Sequence, residues 1–358
     1  MKPAARLIEF GQSAWLDLIG RKLIQSGELG RMMKEDGIRG VTANPAIFEK
    51  AIAETNEYDE ELKKLSSRPA MEVYEAVAVN DVRYACDVFR PLFEKEKGAD
   101  GFVSLEVSPY IARDTKATVE EAKRFWRTVD RPNLFIKIPA NPEGIPAIRQ
   151  AIAAGISVNI TLIFSVKVYG QVIEAYLAGL EDRVARGERI DQIHSVASFF
   201  VSRVDSAVDK LLEEKGNQEL QGKIAVANAK DAYQLFLRTL ESDRWQKLQQ
   251  KGATRQRPLW ASTGTKNKAY SDVLYVENLI GRDTVNTLPL ATLQAFNDHG
   301  KVVETITKGV DEARARLAQL AKLGIDLEAV CKKLTDDGLA LFSKALDGLL
   351  KAIESRRH

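Results

Sequence analysis

The first residue whose surroundings suggest chemistry is Lys137, set in the run Leu134-Phe135-Ile136-Lys137-Ile138-Pro139. An amine among such neighbours would lose its water, and burial disfavours the charged form, which would leave a free nucleophile near neutral pH. A nucleophilic lysine attacks a ketone to give an iminium that draws electrons from the adjacent carbon, while nearby carboxylates move protons. The competing reading is a lysine on an edge strand that points into water, and alternation alone does not separate the two. Other apolar runs carry acids and amides in equivalent places. Asp17 follows Ala14-Trp15-Leu16, and Thr42 and Asn44 end Val41-Thr42-Ala43-Asn44-Pro45. Glu106 lies in Phe102-Val103-Ser104-Leu105-Glu106-Val107, and Asn159 and Thr161 close the next run but one. A single buried acid would be a structural exception. Polar groups on five successive runs form a constellation, because unpaired buried charge is costly.

A phosphate site is the second chemical signal. Ser198 ends an apolar run, and Arg203 follows five residues later with planar donors suited to phosphate oxygens. Ser262-Thr263-Gly264-Thr265-Lys266-Asn267 adds small donors, a permissive glycine and a cation. Against this, Arg203 would equally satisfy a salt bridge to Asp205 or Glu181, and the second segment reads as well as a plain polar turn. Metal chemistry has little behind it. His194, His299 and His358 are scattered without HxH or HExxH spacing, and Cys86 and Cys331 form no CxxC pair. GxSxG, Walker A and GxGxxG sequences are absent as well. Neither a metal nor an organic cofactor is expected.

These residues need a scaffold that brings strand ends together. Eight β-rich runs, at 14–18, 39–42, 101–107, 134–138, 156–160, 195–199, 258–262 and 284–288, alternate with helical patterns. Several are continuous apolar stretches, as expected of parallel strands covered on both faces. Between them, Val119, Ala122, Phe125 and Trp126 make one apolar helical stripe. Eight such units point to an α/β fold, a single (β/α)8 TIM barrel spanning residues 1–358, with catalytic groups at the carboxyl ends of strands. Long insertions fall between the second and third strands and between the sixth and seventh. The latter, about 204–257, is dense in charge and reads as two or more surface helices. A helical extension, about 300–358, ends in a helix with Leu339, Phe342, Leu346, Leu349, Leu350 and Ile353 on one face. That face is expected to dock on the barrel wall, for packing alone.

With 52 Lys+Arg against 50 Asp+Glu, the net charge of +2 gives no electrostatic case for nucleic acid or an acidic membrane. The longest uncharged stretch, 150–166, is broken by Gly155, Ser157, Asn159, Thr161 and Ser165, and no apolar leader precedes the first strand. A soluble, cytoplasmic chain is expected, and two unpaired cysteines suit a reducing compartment.

Taken in order, these segments resemble the bacterial transaldolases, class I aldolases of the pentose phosphate pathway. The matching pieces are AWLDLI around Asp17, GVTANPAIF at 40–48, FVSLEVSP at 102–109, LFIKIPA at 134–140 and SVNITLIFS at 157–165. They continue as ASFFVSRVD at 197–205, WASTGTKN at 260–267 and DTVNTLPLATL at 283–293. The resemblance implies that Lys137 forms the Schiff base, that Asp17 handles the hydroxyl proton during carbon–carbon cleavage, and that Glu106 works with a bound water in imine formation. It assigns Thr42, Asn44, Asn159 and Thr161 to that water and the substrate hydroxyls, and Ser198 and Arg203 to phosphate. Three departures stand out: Lys266 where many members have a second phosphate-binding arginine, Ser202 in place of a glycine, and Leu105 in place of a small polar residue. The implied partners are sugar phosphates, with no nucleic acid or membrane and with a homodimer left open. The implied reaction moves a dihydroxyacetone unit from sedoheptulose 7-phosphate or fructose 6-phosphate to glyceraldehyde 3-phosphate or erythrose 4-phosphate. The alternatives are an aldolase that releases free dihydroxyacetone and a non-catalytic sugar-phosphate binder.

Overall fold

The structure, a computed structural model, describes residues 1–356, so His358 and the very end of the expected extension lie outside the described residues. Eight strands close into a parallel barrel in chain order: β1 (Gln12–Leu16), β2 (Ile38–Val41), β3 (Phe102–Glu106), β4 (Leu134–Pro139), β5 (Val158–Ile163), β6 (Ser195–Phe200), β7 (Gln256–Ala261) and β8 (Thr284–Leu288). The last pairs with the first, and nearly every strand position is buried. That burial explains the unbroken apolar runs: one face of each strand meets the barrel interior and the other meets helices.

Aromatic rings fill the amino-terminal half of the interior. Phe102 stacks on Phe135 at 4.2 Å between centroids, and Trp15 lies 6.1 Å from Phe135. Beside them Asp100 accepts hydrogen bonds from Trp15 Nε1 at 2.9 Å and Arg39 Nε at 2.7 Å. His194 belongs to this end, 5.2 Å from the Phe102 ring, and burial pushes its pKa down to about 4. His299 sits on the surface between Asp272 and Asp298.

Several boundaries differ from those expected, each for a local reason. β1 starts at Gln12 because its polar first residues are bonded inside the barrel: Gln12 Nε2 donates to Leu279 O at 2.7 Å and Thr284 Oγ1 at 2.9 Å. Asp17 therefore stands one residue beyond the strand. β5 runs on to Ile163, so Asn159 and Thr161 lie within it rather than closing it, and Ser198 is likewise inside β6 rather than at its end. β7 begins at Gln256, whose Nε2 donates to Ser195 Oγ at 2.9 Å, so residues 256 and 257 are strand and not insertion.

The helices between β6 and β7, Ser202–Glu214, Ile224–Glu241 and Asp243–Gln249, are less superficial than their charge suggests. The middle one buries Ile224, Ala225, Ala229, Tyr233 and Phe236, and the Val310–Lys322 helix packs on it. The final helix, Leu327–Arg356, packs on the barrel as expected, in part against the Ala70–Lys95 helix of its wall, but not for packing alone. Its apolar stripe is buried as expected, at Leu339, Phe342, Leu346, Leu349 and Ile353, but the helix crosses the carboxyl-terminal mouth. There it contacts the Pro45–Glu54 and Ser202–Glu214 helices together with β5.

Gly40, in β2, marks where the interior is most tightly filled. A Cβ there would stand 2.6 Å from the Trp15 ring and 2.8 Å from Phe102 O. Gly40→Ala is expected to destabilise the fold by about 1–3 kcal/mol through overpacking, read by urea unfolding followed on tryptophan fluorescence. An unchanged midpoint would show that the interior has room to spare.

Candidate active site

Strand register decides which side chains meet at the mouth. Glu106 is the Cα partner of Lys137, Lys137 is the partner of Asn159, and Pro139 is the partner of Thr161. Three neighbouring strands thus present Glu106, Lys137 and Asn159 at one level. A closed barrel has no edge strand, which removes the water-facing alternative for Lys137; the residue is only 4% exposed. Its amine is also not the lone desolvated group that its strand suggests. Nζ lies 3.1 Å from Glu106 Oε2 and donates to Ala43 O at 3.4 Å. The contact with Glu106 is an ion pair whose angle leaves Oε2 without a formed hydrogen bond.

Above this level lies a cavity of about 170 Å3, lined by Asp17, Thr42, Asn44, Lys137, Thr161, Ser198, Arg203, Ser262 and Lys266 among others. Thr42 Oγ1 donates to Asp17 Oδ1 at 2.8 Å and lies 2.7 Å from Thr287 Oγ1. Burial raises the carboxyl of Asp17 above its ordinary range, with Lys137 acting in the opposite direction. Glu106 is raised by the same cause and opposed by the same lysine. Carboxyls poised in this way exchange protons more readily than exposed ones near neutral pH. Thr161 Oγ1 is buried on the cavity wall without a hydrogen-bond partner among the described residues. Asn44 caps the Pro45–Glu54 helix, its Oδ1 accepting from Ile47 N at 3.1 Å.

Of the expected substrate contacts, Asn159 does not line the cavity. Asn159 lies beneath the cavity, its Nδ2 donating to Ser104 Oγ at 3.0 Å and its Oδ1 accepting from Ser198 Oγ at 2.7 Å. Both its groups are committed to protein partners, and Ser198 is committed to Asn159. Ser198 still borders the cavity, whereas Asn159 sets the layer under it.

The bland alternatives for Arg203 do not form. Asp205 accepts instead from Ala225 N at 2.7 Å and Tyr275 OH at 3.0 Å, and Glu181 takes Arg244 at 2.7 Å. The Arg203 guanidinium lies 5.6 Å from the Phe200 ring centroid, and burial lowers its pKa, with Asp17 opposing. Neither Arg203 nor Lys266 makes an ion pair with a described residue, so two cations border the cavity without a carboxylate clamp. Ser202 Oγ lies 3.0 Å from Ser262 Oγ, and Ser202 N donates to Ser262 O at 3.1 Å. The serine in place of a glycine thus ties the start of the Arg203 helix to the loop after β7.

Sequence reasoning missed several contributors, among them Thr287, Phe200, Phe342 and the carbonyl of Ala43. Thr287 stands at a strand end within DTVNTLPLATL, the same kind of position that singled out Asp17. The two phenylalanines carried no signal beyond apolar character.

Fold and cavity together define a (β/α)8-barrel enzyme. The sequence profile of the transaldolase/fructose-6-phosphate aldolase family matches residues 14–353, and the chain belongs to that family. It is 48% identical to a transaldolase of Thiobacillus denitrificans, over 96% of this chain and 97% of that one. A transaldolase of Thermobifida fusca is 48% identical over 98% and 97%, and one of Trichodesmium erythraeum is 45% identical over 97% and 95%. No helix among the described residues is long and apolar enough to cross a membrane.

Asp205 supplies a pH test of how the helix after β6 and its neighbouring loops are held. Burial pushes its pKa from 3.8 up to about 7. The folded state then keeps a proton that the unfolded chain loses, so this carboxyl stabilises fully below 3.8 and loses that contribution as pH rises through about 7. The unfolding free energy of wild type minus that of Asp205→Asn is expected to fall between pH 4 and 8. A flat difference would show an ordinary carboxyl.

Proposed function

We propose that the protein is a transaldolase that works through an imine on Lys137. Lys137 attacks the C2 ketone of sedoheptulose 7-phosphate or fructose 6-phosphate, with Glu106 and a water on the Thr161 hydroxyl moving the protons of imine formation. Asp17, oriented by Thr42, takes the C4 hydroxyl proton as the C3–C4 bond breaks. The aldose phosphate leaves, and a three-carbon enamine stays on the lysine. Its carbon then attacks the aldehyde of glyceraldehyde 3-phosphate or erythrose 4-phosphate, and hydrolysis of the new imine frees the amine. The electron sink is the iminium itself.

One observation carries this reading above the others: a buried lysine paired at 3.1 Å with a raised carboxyl, in the same cavity as two cations that have no carboxylate partner. A nucleophile at one end and an anion site at the other suit a phosphorylated ketose. Ser198, Ser262, Arg203 and Lys266 are the phosphate side, and Asn44 and Thr42 the hydroxyl side. Asn159 acts from below by holding Ser198. A cytoplasmic location follows from substrates whose charge keeps them inside a membrane, and it suits two free, buried cysteines.

Borohydride reduction in the presence of fructose 6-phosphate, followed by peptide mapping, is expected to leave a three-carbon adduct on Lys137 and none in Lys137→Ala. An adduct on another lysine would overturn the assignment. Free dihydroxyacetone on every turnover, with or without an acceptor, would favour the aldolase alternative, and a ketose phosphate that binds without turnover would favour the binder. Arg203→Ala is expected to raise KM for the phosphorylated donor roughly ten- to hundredfold, the scale of ~1.5–3 kcal/mol for hydrogen bonds to a charged group. A KM unchanged within experimental error would remove Arg203 from the phosphate side.

A further inference from the structure

The C-terminal helix reaches the reacting lysine, and nothing in the imine chemistry above makes use of it. Phe342 lines the cavity with its ring centroid 5.7 Å from Lys137 Nζ, and it is 7% exposed. Its placement is built from below. Leu162 in β5 has a φ of +58°, and the β5–β6 register slips between Ile160 and Ile163. A leucine in the left-handed region is strained and persists only where packing holds it. The packing partner here is Gly338, one helical turn before Phe342, where a Cβ would stand 2.8 Å from Leu162 Cδ2. Leu162 thus seats the helix on the strand next to Thr161, and the glycine allows the close approach.

Further contacts hold the same helix at several points across the mouth. Cys331 Sγ donates to Phe164 O at 3.1 Å, Arg113 pairs with Asp336 at 2.9 Å, Tyr110 OH bonds Asp347, and Arg356 pairs with Asp59 at 2.8 Å. A helix fixed along its length, with an apolar ring 5.7 Å from an ion-paired lysine, covers that lysine on the helix side of the cavity. The ring offers the amine only its π face and no proton of its own.

We propose that Phe342 is a specificity-determining residue that keeps water from the lysine-bound three-carbon unit, so that the unit is transferred rather than released. The inference rests on the imine reading of Lys137. Release and transfer compete for one enamine. In release, a solvent proton adds to the enamine carbon, water adds at the imine carbon, and the C–N bond breaks as the ketone forms, giving dihydroxyacetone and the Lys137 ammonium. In transfer, the same enamine carbon forms a bond to the acceptor aldehyde, whose oxygen takes a proton, and water enters only after the longer sugar is assembled. Shielding by Phe342 slows the first course while leaving the second open to an acceptor large enough to occupy the cavity.

The test measures partition: free dihydroxyacetone released from fructose 6-phosphate against three-carbon units transferred to glyceraldehyde 3-phosphate, for wild type, Phe342→Ala, Phe342→Leu and Gly338→Val. The ratio is a property of each active molecule, so a partly misfolded preparation does not move it. Release relative to transfer is expected to rise about tenfold in Phe342→Ala, equivalent to ~1.4 kcal/mol between competing barriers. It is expected to rise also in Gly338→Val, where the helix is pushed from Leu162, and to return most of the way in Phe342→Leu. Release and transfer that fall together at an unchanged ratio in the two Phe342 variants, with the borohydride adduct still on Lys137, would overturn this proposal alone. Loss of that adduct in the wild type would overturn the imine reading and this inference with it.

Discussion

Placing an ammonium and a carboxylate side by side out of water is the demand that the rest of this molecule serves. Lys137 and Glu106 are both almost fully buried and 3.1 Å apart. Either alone would be strongly unfavourable there, since an unpaired ion in a medium of low polarizability keeps its full desolvation cost. Paired, each offsets part of the other's cost. The result is an amine next to an acid whose carboxyl burial raises above its ordinary range. Such a pair needs its backbone fixed on both sides, because an ion pair that drifts by an ångström admits water and loses its character.

A parallel barrel provides that rigidity through register. Hydrogen-bonded partners on β3, β4 and β5 set Glu106, Lys137 and Asn159 at one level, and the Ser104–Asn159–Ser198 chain locks the layer from β3 through β6. The loops beyond the strand ends then add what the strands cannot hold. Asp17 and Thr42 lean on each other, and Ser202 joins Ser262 so that the Arg203 helix and the Lys266 loop keep one spacing. Asp205 ties the same helix to the insertion through Ala225 N and to the Lys266 side through Tyr275. The helices between β6 and β7 are therefore part of what holds this side, and the first of them contributes Arg203 to the cavity.

The resemblance places lysine at 266 where many family members have arginine, and on the proposed reading that alters this side in kind. Arginine binds phosphate through a planar fork, whereas lysine brings a compact charge on a flexible stem. On the proposed reading charge is retained, and directional recognition of phosphate would fall to Arg203 and to the serine hydroxyls. Ser202 fits the same picture: a glycine there would leave the loop after β7 without its hydroxyl partner, which matters more where the second cation is less directional.

The local order of the chain fixed much of this in advance. Apolar runs bounded by turns and alternating with helical patterns pointed to strands covered on both faces and left few folds, although alternation alone still allowed Lys137 to sit on an edge strand facing water. Lys137, Glu106 and Asp17 stood out as polar groups in or beside such runs, whereas for Arg203 only the family resemblance decided between phosphate and a plain salt bridge. Strand ends were less legible at β1, β5, β6 and β7, because Gln12, Thr161 and Gln256 look like turn residues until their buried environment is seen. Phe342 and Leu162 were not legible at all. Apolar side chains on a helix record that the helix is covered, without recording by what, and a left-handed leucine has no signature in its neighbours. Only the closed barrel decided that the covering surface was the mouth above Lys137, because contacts between residues two hundred positions apart depend on the summed geometry of every strand and helix between them.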